Sequence, residues 1–217
     1  MLFAVRGDGR LVARYRLAVP NLDWEAIAID DHGRLYVAEI GNNGGWLRVR
    51  TLYRIDEPDP SKPDDGRPLA ASSVSYRQPA SDRFDAEGLF LDGGQAVVVA
   101  KYLDGREAAL FAVPLDFSSK TIDPPRPIGK LPGFVEPATG ADLSVDGSML
   151  AVASYAVTRV YRRAEAAVGR WEMAAEVRYP QTAIEGVAWD GPDLILAAEG
   201  SHLYRLRRPV RRPTTTR

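Results

Sequence analysis

The 217-residue chain is 45% hydrophobic, enough for a sizeable core, and its 28 Lys and Arg against 29 Asp and Glu leave a formal charge of -1. That balance offers no bulk attraction to nucleic acid or an anionic membrane. With no cysteine and only two histidines, His32 and His202, disulfides, thiolate chemistry and Cys- or multi-His-ligated zinc are excluded.

The opening MLFAVRGDGR turns polar too soon for a signal peptide, and no apolar run approaches the roughly 20 residues of a membrane span. The sequence as written therefore reads as soluble and cytoplasmic, or secreted if an upstream signal peptide is missing. LFAV from Leu2 and LVARYRL from Leu11 read as two strands about a Gly7–Gly9 turn. Four superimposable segments follow: DWEAIAIDDHGRLYVAE from Asp23, DAEGLFLDGGQAVVVAK from Asp85, TGADLSVDGSMLAVAS from Thr139 and AIEGVAWDGPDLILAAE from Ala183. Each runs from an acid or small residue through an apolar strand, an Asp/Gly turn and a second apolar strand ending in Ala. A third strand follows each copy (TLYRI, ALFAV, TRVYRR, HLYRL), and a fourth, such as SVSYR or AEVRY, precedes the next. Such internal repetition defines an all-β chain of four-stranded antiparallel sheets, the blades of a β-propeller.

LFAV and LVARYRL match the third and fourth strands of a unit. The predicted division is thus a half-blade at 1–19, blades at 20–79, 80–132 and 133–180, and a partial last blade at 181–208, about five blades with the first incomplete. RRAEAAVGRWEMAAEV, from Arg162, reads as a long hairpin turn because of its glycine and its strand-like flanks. EPDPSKPDDGRP, from Glu57, reads as a solvated loop, and 209–217 as a disordered basic tail.

Hairpin arithmetic makes the repeat a spatial prediction. Glu25 and Glu39 are 14 residues apart, as are Glu87 and Lys101, and Glu185 and Glu199; the third copy has Ala141 and Ser154, 13 apart, with Asp142 displaced by one. Antiparallel pairing sets each pair opposite or nearly so at the open end of its hairpin, gathering several carboxylates and one lysine at one mouth of the axial channel. Carboxylates so close repel unless a proton, a cation or a hydrogen-bond network offsets the charge. A divalent cation such as Ca²⁺ does so with oxygen ligands, and Asn42 in GNNGG adds an amide oxygen. The expected metal ligands are Glu25, Glu39, Asn42, Glu185 and Glu199, with Glu87 as general base and Lys101 as anion holder in a metal-assisted hydrolysis. The competing reading is structural: a glutamate at an inner-strand end accepts backbone N–H bonds and locks blade to blade.

The segments NLDWEAIAID, VAEIGNN, DAEGLFLD, TGADLSVDG and IEGVAWD resemble the DWED, GDIGDN, DAE(A/G), TGAD and E-(A/G)-(I/V)-A signatures of bacterial propellers related to the phytase-like esterase, regucalcin and NHL-repeat propellers. Ala26 stands where DWED has its second acid, and Glu39 and Asn42 stand where GDIGDN has aspartates. Such propellers begin with a further hairpin, so the resemblance implies a late start here, and it implies a propeller with a channel site far more than any reaction. Three functions follow: a cation-dependent site for a small polar ligand, with ester, lactone or phosphoester hydrolysis as its reaction; a non-enzymatic propeller binding protein or glycan at the channel mouth; and a truncated relic. None involves nucleic acid or a membrane, and the oligomeric state is open.

Overall fold

The computed structural model describes residues 1–62, 66–78, 82, 84–164, 169–180 and 183–210. Strands β1 (Leu2–Val5) and β2 (Leu11–Tyr15) form a two-stranded sheet. Three four-stranded antiparallel meanders follow: β3 (Trp24–Ile29), β4 (Arg34–Glu39), β5 (Val49–Asp56) and β6 (Ser72–Arg77); β7 (Asp85–Asp92), β8 (Gln95–Lys101), β9 (Ala109–Pro114) and β10 (Arg126–Lys130); β11 (Gly140–Leu143), β12 (Met149–Ala153), β13 (Val157–Arg163) and β14 (Trp171–Arg178). The last sheet has three strands, β15 (Ile184–Asp190), β16 (Asp193–Ala198) and β17 (His202–Leu206). First strands contact first strands in sequence, β3 with β7, β7 with β11 and β11 with β15, which is the arrangement of propeller blades about an axis. Among the described residues, no helix is long and apolar enough to cross a membrane.

Alternation along the strands explains the packing. In β8, Ala96, Val98 and Ala100 join Tyr36, Leu52 and Tyr76 of the preceding blade, while Val97 and Val99 join Leu150, Val152 and Tyr161 of the following one. A period-two strand buried on both faces must be apolar at every position, which is why QAVVVA lacks the polar alternation of a one-sided strand. In the first and last of the repeated sheets the same rule gives a different result: Ile27 and Ile29 of β3 remain 51% and 50% exposed, and most of β17 faces solvent. One parallel bridge, Leu17 to Leu69, ties the segment after β2 to the loop before β6.

Inner hairpins turn at Gly33, Gly94, Gly147 and Gly191, with φ of 70, 76, 69 and 58°. These left-handed values explain the Asp/Gly punctuation of the repeat. Hydrogen bonds then join blade to blade. Asn42 N–H donates to Asp85 Oδ1 at 2.6 Å, Thr139 Oγ1 to the Ile184 carbonyl at 2.7 Å and Trp189 N–H to Asp142 Oδ2 at 2.7 Å. Arg163 makes a two-pronged contact with Asp92 at 3.0 and 3.1 Å.

The hairpin read from Arg162 joins β13 to β14, with residues 165–168 outside the described residues. Residues 63–65 of the Pro/Gly loop and 211–217 of the tail lie outside them as well, whereas Val210 packs against a cluster containing Ala151, Val160 and Leu194.

Close approach of the inner strands demands small residues. A Cβ on Gly140 would stand 3.0 Å from Gly186 Cα and 3.1 Å from Val187 N, with backbone rather than a flexible side chain in the way. Gly140→Ala is therefore expected to lower unfolding free energy in urea by about 1–3 kcal/mol. Gly7→Ala, whose Cβ would meet nothing within 4 Å, should stay within about 0.5 kcal/mol of the parent.

Candidate functional site

Strand register places the expected pairs nearly, not directly, opposite and supplies the physical reason. Trp24, not Glu25, stands opposite Glu39; Asp85, not Glu87, stands opposite Lys101; Ile184 stands opposite Ala198, and Glu199 lies beyond the end of β16. In each of the three hairpins the ladder slips by one residue at the same place: between Trp24 and Ala26, between Ala86 and Gly88, and between Ile184 and Gly186. The residues left over are Glu25, Glu87 and Glu185. Each is the extra residue of a β-bulge, which kinks the strand and re-aims a side chain. The β11–β12 hairpin, with no glutamate at this point, pairs from Gly140–Ala153 to Leu143–Leu150 without a slip.

All three bulged glutamates line one cavity of about 240 Å³ on the axis. Leu2, Trp24, Val37, Ala141 and Val187 are among the other residues of its wall. Glu87 is buried and paired with Lys101, whose Nζ also lies 3.6 Å from Asp85 Oδ2. Burial pulls against the lysine's charge, but its contacts with Glu87 and Tyr155 outweigh that and hold it protonated. Burial raises Glu87 in spite of Lys101, and its Oε2 has no hydrogen-bond donor. Glu25 is pushed up to about 8 by burial, by its contact with the Asp23 carboxyl and by the charges of Glu87 and Asp85. Glu185 is pushed up to about 7, first by burial and then by Glu87 and Glu199, with Lys101 opposing. The mouth thus holds protons near neutral pH.

The other expected ligands are placed differently. Glu39 is buried, and its carboxylate accepts the backbone N–H groups of Leu22 (3.0 Å) and Asp23. Asn42 is buried too, its Oδ1 accepting Leu47 N–H at 3.0 Å. Glu199 is exposed. Oxygen-only donors suit a hard cation in kind. As they stand, however, no three His, Cys, Asp or Glu side chains among the described residues are grouped to hold a metal ion. Lys101 supplies a positive charge beside Glu87.

Sequence reasoning passed over four residues. Asp23 and Asp85 precede two of the bulged glutamates, Glu25 and Glu87, by two positions, a shared Asp-x-Glu pattern that was available as a signal. Tyr155, in the turn after β12, places its ring 5.6 Å from Lys101 Nζ. Arg50 on β5 is fully buried, donating to Gln78 Oε1 at 3.3 Å; burial lowers its pKa while Tyr76, Asp85, Asp23 and Glu39 support its charge. No sequence signal marks an arginine buried in this way.

Fold and cavity together define a β-propeller with an acidic axial site. No family model and no curated protein sequence matches the chain. Solved structures do: the glutaminyl cyclase of Myxococcus xanthus matches with a TM-score of 0.51 at 10% identity, over 86% of this chain and 66% of that one. The WD40 β-propeller domain of Doa1 matches at 0.49 and 10% identity, over 90% and 56%. The computationally designed Ika4 protein matches at 0.46 and 10%, over 89% and 96%. The chain thus spans about two thirds of the cyclase and just over half of the Doa1 domain. At such identities the likeness is one of fold.

The raised carboxyls set the sign of the pH dependence. An ordinary glutamate titrates near 4.5, so between about 4.5 and 8 the folded chain binds more protons at Glu25 and Glu185 than the unfolded chain does. Stability from this source is highest below pH 4.5 and falls as pH rises through 7 and 8. Asp142, pushed up to about 6 mainly by burial, adds in the same direction at lower pH. Melting temperature should fall between pH 5 and pH 8, and Glu25→Gln, a neutral stand-in for the protonated acid, should flatten the fall. A melting temperature that rises over this interval would contradict the assignment.

Proposed function

We propose that the acidic end of the channel binds a divalent cation, Ca²⁺ before others, together with a small polar ligand. The observation that carries this reading is the set of three bulges. The β11–β12 hairpin forms a blade without one, so the architecture does not require them. Blade locking is provided by other groups, Asp85, Asp142, Thr139 and Arg163. A one-residue insertion that disrupts a ladder and points a carboxylate into a shared cavity three times over is what a binding site needs and a packing contact does not.

Glu25 and Glu185 would hold the cation by exchanging their protons for it, with Glu199 near enough to Glu185 to add charge. Glu39 and Asn42 act instead by fixing the chain on either side of β4. When bound, such a cation supplies charge that polarises a carbonyl or phosphoryl group. Lys101, kept positive by Glu87, faces the ligand's anionic side. The resemblance to phytase-like esterase and regucalcin propellers supports hydrolysis of an ester, lactone or phosphoester as the reaction, with Glu87 drawing the proton from water.

Adding Ca²⁺, Mg²⁺ or Mn²⁺ at pH 7 should raise the melting temperature with concentration and release protons into weak buffer, because the ion binds the folded chain and displaces protons held there. Glu25→Gln and Glu185→Gln should fold and lose both effects. A melting temperature indifferent to all three ions, or a shift that survives in both variants, would remove the cation from this site. Glu87→Gln is a different test: it removes the nearer of two carboxylates beside buried Lys101, leaving Asp85 at 3.6 Å, and should cost about 1–3 kcal/mol of stability.

A further inference from the structure

The opposite end of the inner hairpins carries a second and larger cavity, about 710 Å³, lined by the β3–β4, β7–β8 and β11–β12 turns. That volume lies in the range of small-molecule sites, about 300–1,000 Å³. Five aspartates line it, yet four are already engaged. Asp30 accepts from Arg34 Nε at 2.7 Å and from Tyr36 OH at 3.0 Å. Asp92 is held by both prongs of Arg163, and Asp142 is largely buried beneath the Trp189 N–H. Asp146 accepts three bonds within its own turn, from Ser144 Oγ, Ser148 Oγ and Ser148 N–H. The fifth, Asp31, is 89% exposed beside His32.

Among the charged groups of the cavity wall, Arg54 differs. It makes no ion pair with any described residue; its guanidinium carbon lies 4.0 Å from the centroid of the Phe117 ring. Tyr36, beside Arg54 in the β4–β5 register, also approaches that ring, centroid to centroid at 6.2 Å. A guanidinium held against an aromatic face keeps its N–H groups free at the edge, where they match the paired oxygens of a carboxylate or phosphate. Leu91, Leu115, Leu143 and Trp189 supply apolar wall in the same cavity.

We propose that this turn-side cavity is a second binding site, for a small organic anion whose carboxylate or phosphate sits on Arg54 and whose apolar body lies against Leu91, Leu115, Leu143 and Trp189. It is separate from the acidic mouth and is selective for the opposite charge.

Benzoate, phenyl phosphate, inorganic phosphate and the neutral benzamide serve as probes, titrated calorimetrically into the full chain. At least one aromatic anion should bind about tenfold more tightly than benzamide, the range of one charge-assisted contact, and more tightly than inorganic phosphate, which lacks the apolar body. Preference for phenyl phosphate assigns a phosphate ligand, and preference for benzoate a carboxylate. Arg54→Gln should lose that advantage, Arg54→Lys should keep part of it, and Glu25→Gln at the far mouth should leave it unchanged. Should Arg54→Gln melt below the working temperature, Arg54→Lys and the anion-to-benzamide ratio on the parent chain decide. The site is refuted if benzamide binds as well as the anions, if folded Arg54 variants bind like the parent, or if no probe binds up to about 10 mM.

Discussion

An antiparallel ladder accommodates one surplus residue only by letting it bulge, and that constraint organises this molecule's functional end. In β3, β7 and β15 the surplus residue is a glutamate, and in each case its carboxylate ends in the same axial cavity. With regular ladders those side chains would follow the strand's alternation and share faces with packed apolar residues. The bulge separates two requirements that otherwise conflict: the strand below it stays paired and apolar, and the side chain at it stays ionisable and directed at the axis.

A division of labour among the acids follows. Aspartates with short side chains sit where backbone N–H groups of a neighbouring blade reach them, as Asp85 does for Asn42 of the preceding blade and Asp142 for Trp189 of the following one. Their bonds are between blades, so they stabilise the arrangement of sheets rather than any one sheet. Glu39 does comparable work within a blade, holding the chain that enters β3. The bulged glutamates have no such backbone partners among the bonds found. They carry the cost of burial as raised proton affinity, relieved by Lys101 through direct pairing at Glu87 and by its charge alone at Glu185.

The two ends of the inner hairpins therefore differ in electrostatic character although the same strands build both. At the strand-start end, carboxylates outnumber Lys101 and retain protons. At the turn end, four of the five aspartates are matched or hydrogen-bonded and Asp31 is exposed to solvent, while the guanidinium of Arg54 makes no ion pair with any described residue. The difference arises because turn aspartates face the N–H groups and hydroxyls of their own turns, whereas the bulged glutamates face one another across the axis.

The amino-acid sequence by itself determined the blades. Four copies of strand, Asp/Gly turn and strand, with Ala at the same place, specify local hairpins whose pairing is fixed by turn geometry and by which face must be apolar, and both are written in consecutive residues. It also marked the acidic end: in three of the four copies a glutamate near the start of the hairpin stands 14 residues before an acid or a lysine near its close. What the spacing could not say is where along the ladder a residue is expelled, because a slip costs the same local pairing at several positions and the packing of neighbouring blades selects one. Only the tertiary structure decided that Glu25 and Glu185 face the axis while Glu39 and Asn42 turn to backbone, that Arg50 is buried, and that Arg54 meets Phe117. Each of those depends on segments distant in sequence meeting across or between blades, and an interaction made between elements leaves no period or spacing in either one.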